Sequence, residues 1–252
     1  MLIAMFCFVS SSVAQQKKQV GGGTGKLENT RGLGLAAGEE IRQSFQRRQS
    51  DGMKLAVYSL NNRKYVPVDP GQKFKEGDRI KIKFESNFDG HVYVINVTPS
   101  GERRFLFPFP SKNNRVRAGQ SYDIPRSGEY AFDDEKGVEV IQVVMSRSQI
   151  ALLDTALDLC LKNSSNVLDA STVKFIEILT GKASREKRGG VFTYGAEGRG
   201  RARKQDQTIR QRGLSLAKGK DDTILTLSHP QGVPSVLKPG EASIFEVRLN
   251  HN

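Results

Sequence analysis

Catalysis needs titratable or nucleophilic groups that converge, and this chain supplies few: three histidines, His91, His229 and His251, and two cysteines, Cys7 and Cys160. No histidine shares a metal-ligand spacing with another histidine or with Cys160. Signatures of the G-x-S-x-G, H-E-x-x-H and paired-cysteine kinds are missing as well. The expectation is therefore a protein with no catalytic residues, no metal and no cofactor. His91 follows a turn at the start of a strand pattern and reads as a strand residue rather than a base. Cys160 lies inside an apolar helical pattern and reads as a buried small hydrophobe. The acidic run Asp133-Asp134-Glu135 sits at a strand-to-strand turn and reads as solvated, because a calcium cage needs about six to eight oxygen ligands. The stretch Gly21-Gly22-Gly23-Thr24-Gly25-Lys26 invites comparison with a phosphate-binding loop. It lacks the preceding strand, and Leu27 stands where that motif needs Ser or Thr to hold magnesium.

Binding chemistry is better represented. Residues 182–220 hold twelve Lys or Arg against the three acids Glu186, Glu197 and Asp206, so most of the chain's formal charge of +12 is local. Arg199, Arg201, Arg203 and Lys204 form its densest run and are the candidates for contact with an anionic surface. With many Gly and Ala and few branched apolar residues, the segment cannot bury enough surface to offset its ordering entropy. It reads as a disordered basic insertion. The second candidate surface is Phe105, Phe107 and Phe109, interleaved with Pro108 and Pro110. The prolines stop a sheet from extending, and the aromatics offer a partner-binding patch.

These candidates need a scaffold, and its strongest stretch runs from Phe74 to Pro110. Ile80, Ile82 and Phe84 alternate with Lys81, Lys83 and Glu85, the period-2 pattern of a strand with one buried face. After turn residues Asn87, Asp89 and Gly90, Val92 to Val97 is apolar on both faces, as a central covered strand is. The stretch reads as a β-meander closed by Arg104–Phe107 after the Pro99-Ser100-Gly101 turn. Before it, Leu55–Leu60 and Lys64–Val68 read as a hairpin around Asn61-Asn62, with Pro67 placing the second strand at an edge. After it come strands at Ser121–Ile124, Tyr130–Phe132 and Gly137–Met145. Two amphipathic helices follow, with Ser148 and Ser171 as expected caps. Asp222–Ser228 and Ser243–Leu249 alternate as strands and are expected to return to the first sheet.

Many short strands separated by Gly, Pro and Asn turns predict a mainly β fold: an antiparallel β-sandwich, Ig-like or barrel-like, with two short helices. The expected organisation is a signal peptide over 1–14, a flexible linker over 15–51 and a sandwich over 52–181 plus 221–250. A disordered basic insertion occupies 182–220. The linker is expected to contain a short helix over Glu39–Arg48. The signal reading rests on the apolar run Met1–Val9 and the small-x-small pattern Ser12-Val13-Ala14, although no Lys or Arg precedes that run. It predicts a periplasmic or secreted protein. Elsewhere no apolar stretch approaches the roughly 20 residues that cross a bilayer, so the mature chain is expected to have no transmembrane segment.

Several of these motifs occur together in a known family. Phe74-x-Glu76-Gly77-Asp78-Arg79-Ile80, Gly90-x-Val92 through Val97, Pro99-Ser100-Gly101 and Leu106-Phe107-Pro108 come first. Val116-x-Ala118-Gly119, Ile124-Pro125 and Gly137-x-Glu139 follow in order. The stretch from about Leu55 to Ser148 resembles the bacterial domain of unknown function 4384. The resemblance implies a β-rich accessory domain of envelope or secreted proteins, joined in larger relatives to caspase-like peptidase, kinase or other modules. It implies no catalytic residues, and it leaves the basic segment and the C-terminal strands unexplained.

The function expected on these grounds is a non-enzymatic envelope or secreted interaction module. Its sandwich would bind a protein or glycan, and its basic segment would engage anionic surfaces. Two alternatives belong to other classes. One is a cell-wall or peptide hydrolase with an unrecognised site, which would depend on His91 and His229. The other is a nucleic-acid-binding protein, disfavoured by the export signal and suggested only by runs such as Gly198-Arg199-Gly200-Arg201.

Overall fold

A computed structural model describes residues 29–184, 189–193, 213–219, 221–228 and 234–252. Helix α1 (Asn29–Gln46) precedes ten strands: β1 (Gly52–Asn61), β2 (Lys64–Val68), β3 (Lys73–Phe74), β4 (Arg79–Ser86), β5 (Gly90–Val97), β6 (Arg103–Phe107), β7 (Arg115–Val116), β8 (Ser121–Ile124), β9 (Tyr130–Ala131) and β10 (Gly137–Ser146). Helices α2 (Ala151–Lys162) and α3 (Ala170–Ser184) follow. The last strands are β11 (Gly189–Thr193), β12 (Gly213–Lys218), β13 (Thr223–Ser228) and β14 (Glu241–His251). They form two seven-stranded sheets. One runs β12-β13-β1-β4-β8, with β2 also on β1 and β9 on β4. The other runs β11-β14-β10-β5-β6, with β3 also on β14 and β7 on β5. Among the described residues every strand pairing is antiparallel except β3 with β14. The fold is thus the expected mainly β sandwich, and neither sheet closes into a barrel.

Alternation builds the layer between the sheets. Ile80, Ile82 and Phe84 of β4 turn inward to meet Val92 and Val94 of β5, Ile141 and Val143 of β10 and Phe245 of β14. The other face of β5 is buried too: Tyr93 and Ile95 pack with Leu153, Leu157 and Cys160 of α2 and Ile176 of α3. Those helices explain why β5 is apolar on both sides. On the far side of the first sheet, Ile41 and Phe45 of α1 cover Ala217 and Ile224.

Five expectations change. The β4–β5 connection is no meander turn, because the two strands lie in different sheets and the chain arches across the sandwich. Asn87 holds that arch by donating from Nδ2 to the carbonyls of Phe45 (2.9 Å) and Ser50 (2.7 Å), while its Oδ1 accepts from the Gly52 N–H (2.8 Å). Gly90 is needed for close approach: a Cβ there would lie 2.4 Å from the Ser146 carbonyl oxygen. Helix α1 occupies much of the expected linker, because Ile41 and Phe45, four residues apart, find an apolar seat on β12 and β13. The expected disordered insertion has ordered ends: β11 pairs with β14 and β12 with β13. Ladder hydrogen bonds order those ends, and Ala217 of β12 adds burial under Phe45. The helix caps differ too. Asp169, not Ser171, caps α3, and Ile150 precedes α2 without a side-chain cap hydrogen bond. Of the two C-terminal strands expected in the first sheet, β13 joins it on β1, whereas β14 joins the other sheet on β10. Residues 1–28, with the expected export signal, lie outside the described residues.

A candidate arginine-lined groove at the open side of the sandwich

The site begins with a loop pinned by its own side chains. After β6, Ser111 Oγ accepts the Asn113 N–H (3.0 Å) and Asn113 Oδ1 accepts the Arg115 N–H (3.1 Å), so the chain enters β7 in a fixed direction. Asp89, at the arch, accepts the Ala118 N–H (2.8 Å), and the Gly119 N–H donates to the Ser86 carbonyl (2.8 Å). Between this loop and β8 lies a groove of about 780 Å³, bordered by Asp89, Asn113, Arg115–Arg117 and Gln120–Asp123, with Arg126 beside it.

An aromatic stack underlies it. The Tyr122 ring stacks on Phe84 at 5.1 Å between centroids and meets Phe107 edge-on at 5.9 Å. Its hydroxyl accepts the Arg117 N–H (2.9 Å) and donates to Gln120 Oε1 (3.1 Å). The Arg126 guanidinium lies 6.0 Å from the Phe107 ring centroid, at the limit of a cation–π contact. Arg115, Arg117 and Arg126 are all exposed. Among the described residues no carboxylate lies within ion-pair reach of any of the three. The two groove carboxylates are engaged elsewhere: Asp89 holds the Ala118 N–H, and Asp123 sits 3.6 Å from Lys83 Nζ. The result is a cationic cleft on a rigid aromatic base, suited to carboxylate or phosphate groups, which guanidinium forks match in pairs.

The residues expected to bind a partner are placed differently. Phe105 and Phe107 are 1% and 2% exposed, so neither presents a surface, and Phe109 is half-buried against the helix layer. A β-bulge explains the pair. Ile95 opposes Phe105 and Val94 opposes Phe107, leaving Leu106 as the extra residue. The bulge switches faces, so Phe105 enters the layer under α2 and α3 while Leu106 and Phe107 enter the layer between the sheets. Arg199, Arg201, Arg203 and Lys204 lie outside the described residues, as does His229.

The titratable residues have local partners. The His91 Nδ1–H donates to Asn114 Oδ1 (2.8 Å), and Asn114 Nδ2 donates to Asp154 Oδ1 (3.0 Å), which also accepts from the Tyr93 hydroxyl (2.7 Å). This chain ties β5 to the first turn of α2. His251 is buried, with Nδ1–H donating to the Glu135 carbonyl (2.8 Å). Cys160 is buried, its Sγ donating to the Val167 carbonyl (3.2 Å), and burial pushes the thiol up from its ordinary range. Among the described residues no group of three His, Cys, Asp or Glu could hold a metal ion. No helix among them is long and apolar enough to cross a membrane.

The family model described as Domain of unknown function (DUF4384) matches residues 73–149. No curated protein and no solved structure matches. The matched segment runs from β3 to the end of β10 and contains every residue of the groove. It leaves out β1, β2, the three helices and β11–β14.

Proposed function

We propose that this protein, with residues 73–149 as its family domain, is a non-enzymatic accessory module that holds an acidic partner in the groove of Arg115, Arg117 and Arg126. In this reading it works in the cell envelope or outside the cell, and the basic stretch 182–220 adds long-range attraction to anionic surfaces. The observation that carries the reading is the groove itself: three exposed guanidiniums without carboxylate partners among the described residues, set around an aromatic floor on a two-sheet scaffold. Side chains that merely solvate a surface tend to pair or to sit apart. Convergence of like charge costs repulsion, which an anionic ligand relieves.

The test is titration of the full chain with poly-L-glutamate and with alginate at low and high salt. Binding should weaken as salt rises, because exposed charges separated by more than about 10 Å are screened at 0.1 M ionic strength. Arg115→Gln, Arg117→Gln and Arg126→Gln together should weaken it at least about tenfold, the loss of one charge-assisted contact or more. Equal binding by the triple variant would remove the groove from the function. Replacing Arg199, Arg201, Arg203 and Lys204 by Gln tests the basic stretch separately and leaves β11 and β12 intact.

A further inference from the structure

We infer that the occupant of the groove is an extended peptide segment with Glu or Asp at alternate positions, added as a new antiparallel or parallel strand to the open edge of β8. This rests on the reading of the groove as the site of an acidic partner, and it names the partner's chemistry.

Three observations carry it. First, β8 ends its sheet: Ser121–Ile124 pair with β4 on one side and, among the described residues, have no strand on the other. Among those residues their backbone makes no hydrogen bonds beyond that ladder. In a ladder only alternate residues face the partner strand, so the remaining N–H and C=O groups point away from β4. Ser121, Tyr122 and Asp123 all border the groove although successive side chains alternate between faces, so the groove meets the strand's edge rather than one of its faces. Second, the corresponding edge of the other sheet is covered. The Phe105 N–H of β6 donates to the Asn166 carbonyl (2.8 Å), and the Leu168 N–H donates to the Arg103 carbonyl (2.9 Å). The chain caps β6 with its own backbone and leaves β8 free. Third, the charge is complementary and correctly spaced. Arg115 and Arg117 flank buried Val116 at positions i and i+2, so they lie about 6.6 Å apart along an extended chain. Alternate residues of an incoming strand have the same repeat.

The same charges exclude a second copy of this chain at that edge, because two groups of three guanidiniums would be brought together. An acidic polysaccharide would satisfy the arginines but has no amide ladder for β8. Strand addition uses both features at once, with main-chain bonds for affinity and side chains for selection.

The experiment uses the full chain and four fluorescein-labelled probes: an eight-residue peptide of alternating Glu and Thr, that peptide N-methylated at its odd amides or at its even amides, and an oligogalacturonate of similar charge. The parent peptide should bind most tightly. The two methylated peptides, identical in charge, should differ from each other at least about tenfold, because only one set of amides faces β8. Hydrogen exchange at Ser121–Ile124 should slow when the parent peptide binds. Equal binding by parent and both methylated peptides, or tighter binding of the oligogalacturonate, overturns strand addition and leaves the acidic-partner groove standing. If the triple Arg→Gln variant binds the parent peptide as the natural chain does, the groove reading falls with it.

Discussion

At the residue scale, one carboxylate shows how local hydrogen bonding sets both stability and its pH dependence. Asp169 accepts the N–H groups of Ser171 (2.9 Å) and Thr172 (3.1 Å) and both their hydroxyls, closing the first turn of α3. The Ser171 and Thr172 hydroxyls, opposed in part by burial and helped by the backbone N–H groups, lower its pKa from 3.8 to about 2. Asp169→Ala should therefore cost about 1 kcal/mol at neutral pH, the usual value of an N-cap, and Asp169→Asn less, because Asn also caps. A depressed folded pKa stabilises above the unfolded value. The gap between the natural chain and Asp169→Ala should thus be complete above about pH 4 and close as pH falls through 2. Urea denaturation at several pH values measures it, and a gap independent of pH would show that the carboxylate charge is irrelevant. The sequence Asp-Ala-Ser offers two capping residues, and the helical pattern alone favours Ser171. The helix begins two residues earlier than a Ser171 cap would start it, at Ala170, which makes Asp169 the cap.

At the element scale, faces are legible in the sequence and partners are not. The alternation of β4, the two-sided burial of β5 and the edge position of β2 all follow from residue order, as does a buried Cys160. Periodicity says which face is buried but not which sheet a strand joins, so the arch between β4 and β5 reads as a hairpin. A bulge is equally silent in sequence: Phe105 and Phe107, two residues apart, should share a face, and the extra Leu106 separates them. The groove is hidden for a related reason. Arg115-x-Arg117 reads as part of a loop, and only the pairing of β7 with β5 and of β8 with β4 brings those arginines near Tyr122 and Arg126. The arch makes a prediction of its own. Gly90→Ala places a methyl against the Ser146 carbonyl and the Phe88 ring, which lie 2.4 Å and 2.6 Å from where its carbon would stand. The variant should lose about 1–3 kcal/mol, the range for overpacking, whereas Ala at exposed Gly128, with positive φ but open space, should lose less. A smaller loss at Gly90 than at Gly128 would mean that backbone conformation, and not contact, is what the arch requires.

At the scale of the whole molecule, the two sheets are joined by one polar bracket that draws on distant parts of the chain. Asp51, with a side chain 3% exposed, receives two hydrogen bonds from Arg147 (2.9 Å and 2.6 Å) and one from the Leu237 N–H (2.8 Å). The Ser50 hydroxyl donates to the Leu227 carbonyl (2.7 Å), and Asn87 reaches the carbonyl of the same Ser50. The start of β1, the β10–α2 joint and the connection from β13 to β14 therefore meet at one buried carboxylate. Removing it leaves the buried Leu237 N–H without its acceptor and takes the carboxylate partner from a guanidinium that still reaches water. Asp51→Ala should lose about 3 kcal/mol, toward the lower end for a buried pair because Arg147 is 39% exposed. Arg147→Ala should lose at least as much, since it leaves the buried Asp51 carboxylate with only the Leu237 N–H. The chain has no Trp, so far-ultraviolet circular dichroism and tyrosine fluorescence are the probes. If the bracket couples the sheets, both probes will trace one transition in the natural chain and separate in Asp51→Ala. Coincident transitions in the variant would instead assign the coupling to the apolar layer between the sheets, where β4 and β5 already meet through Ile82, Phe84, Val92 and Val94.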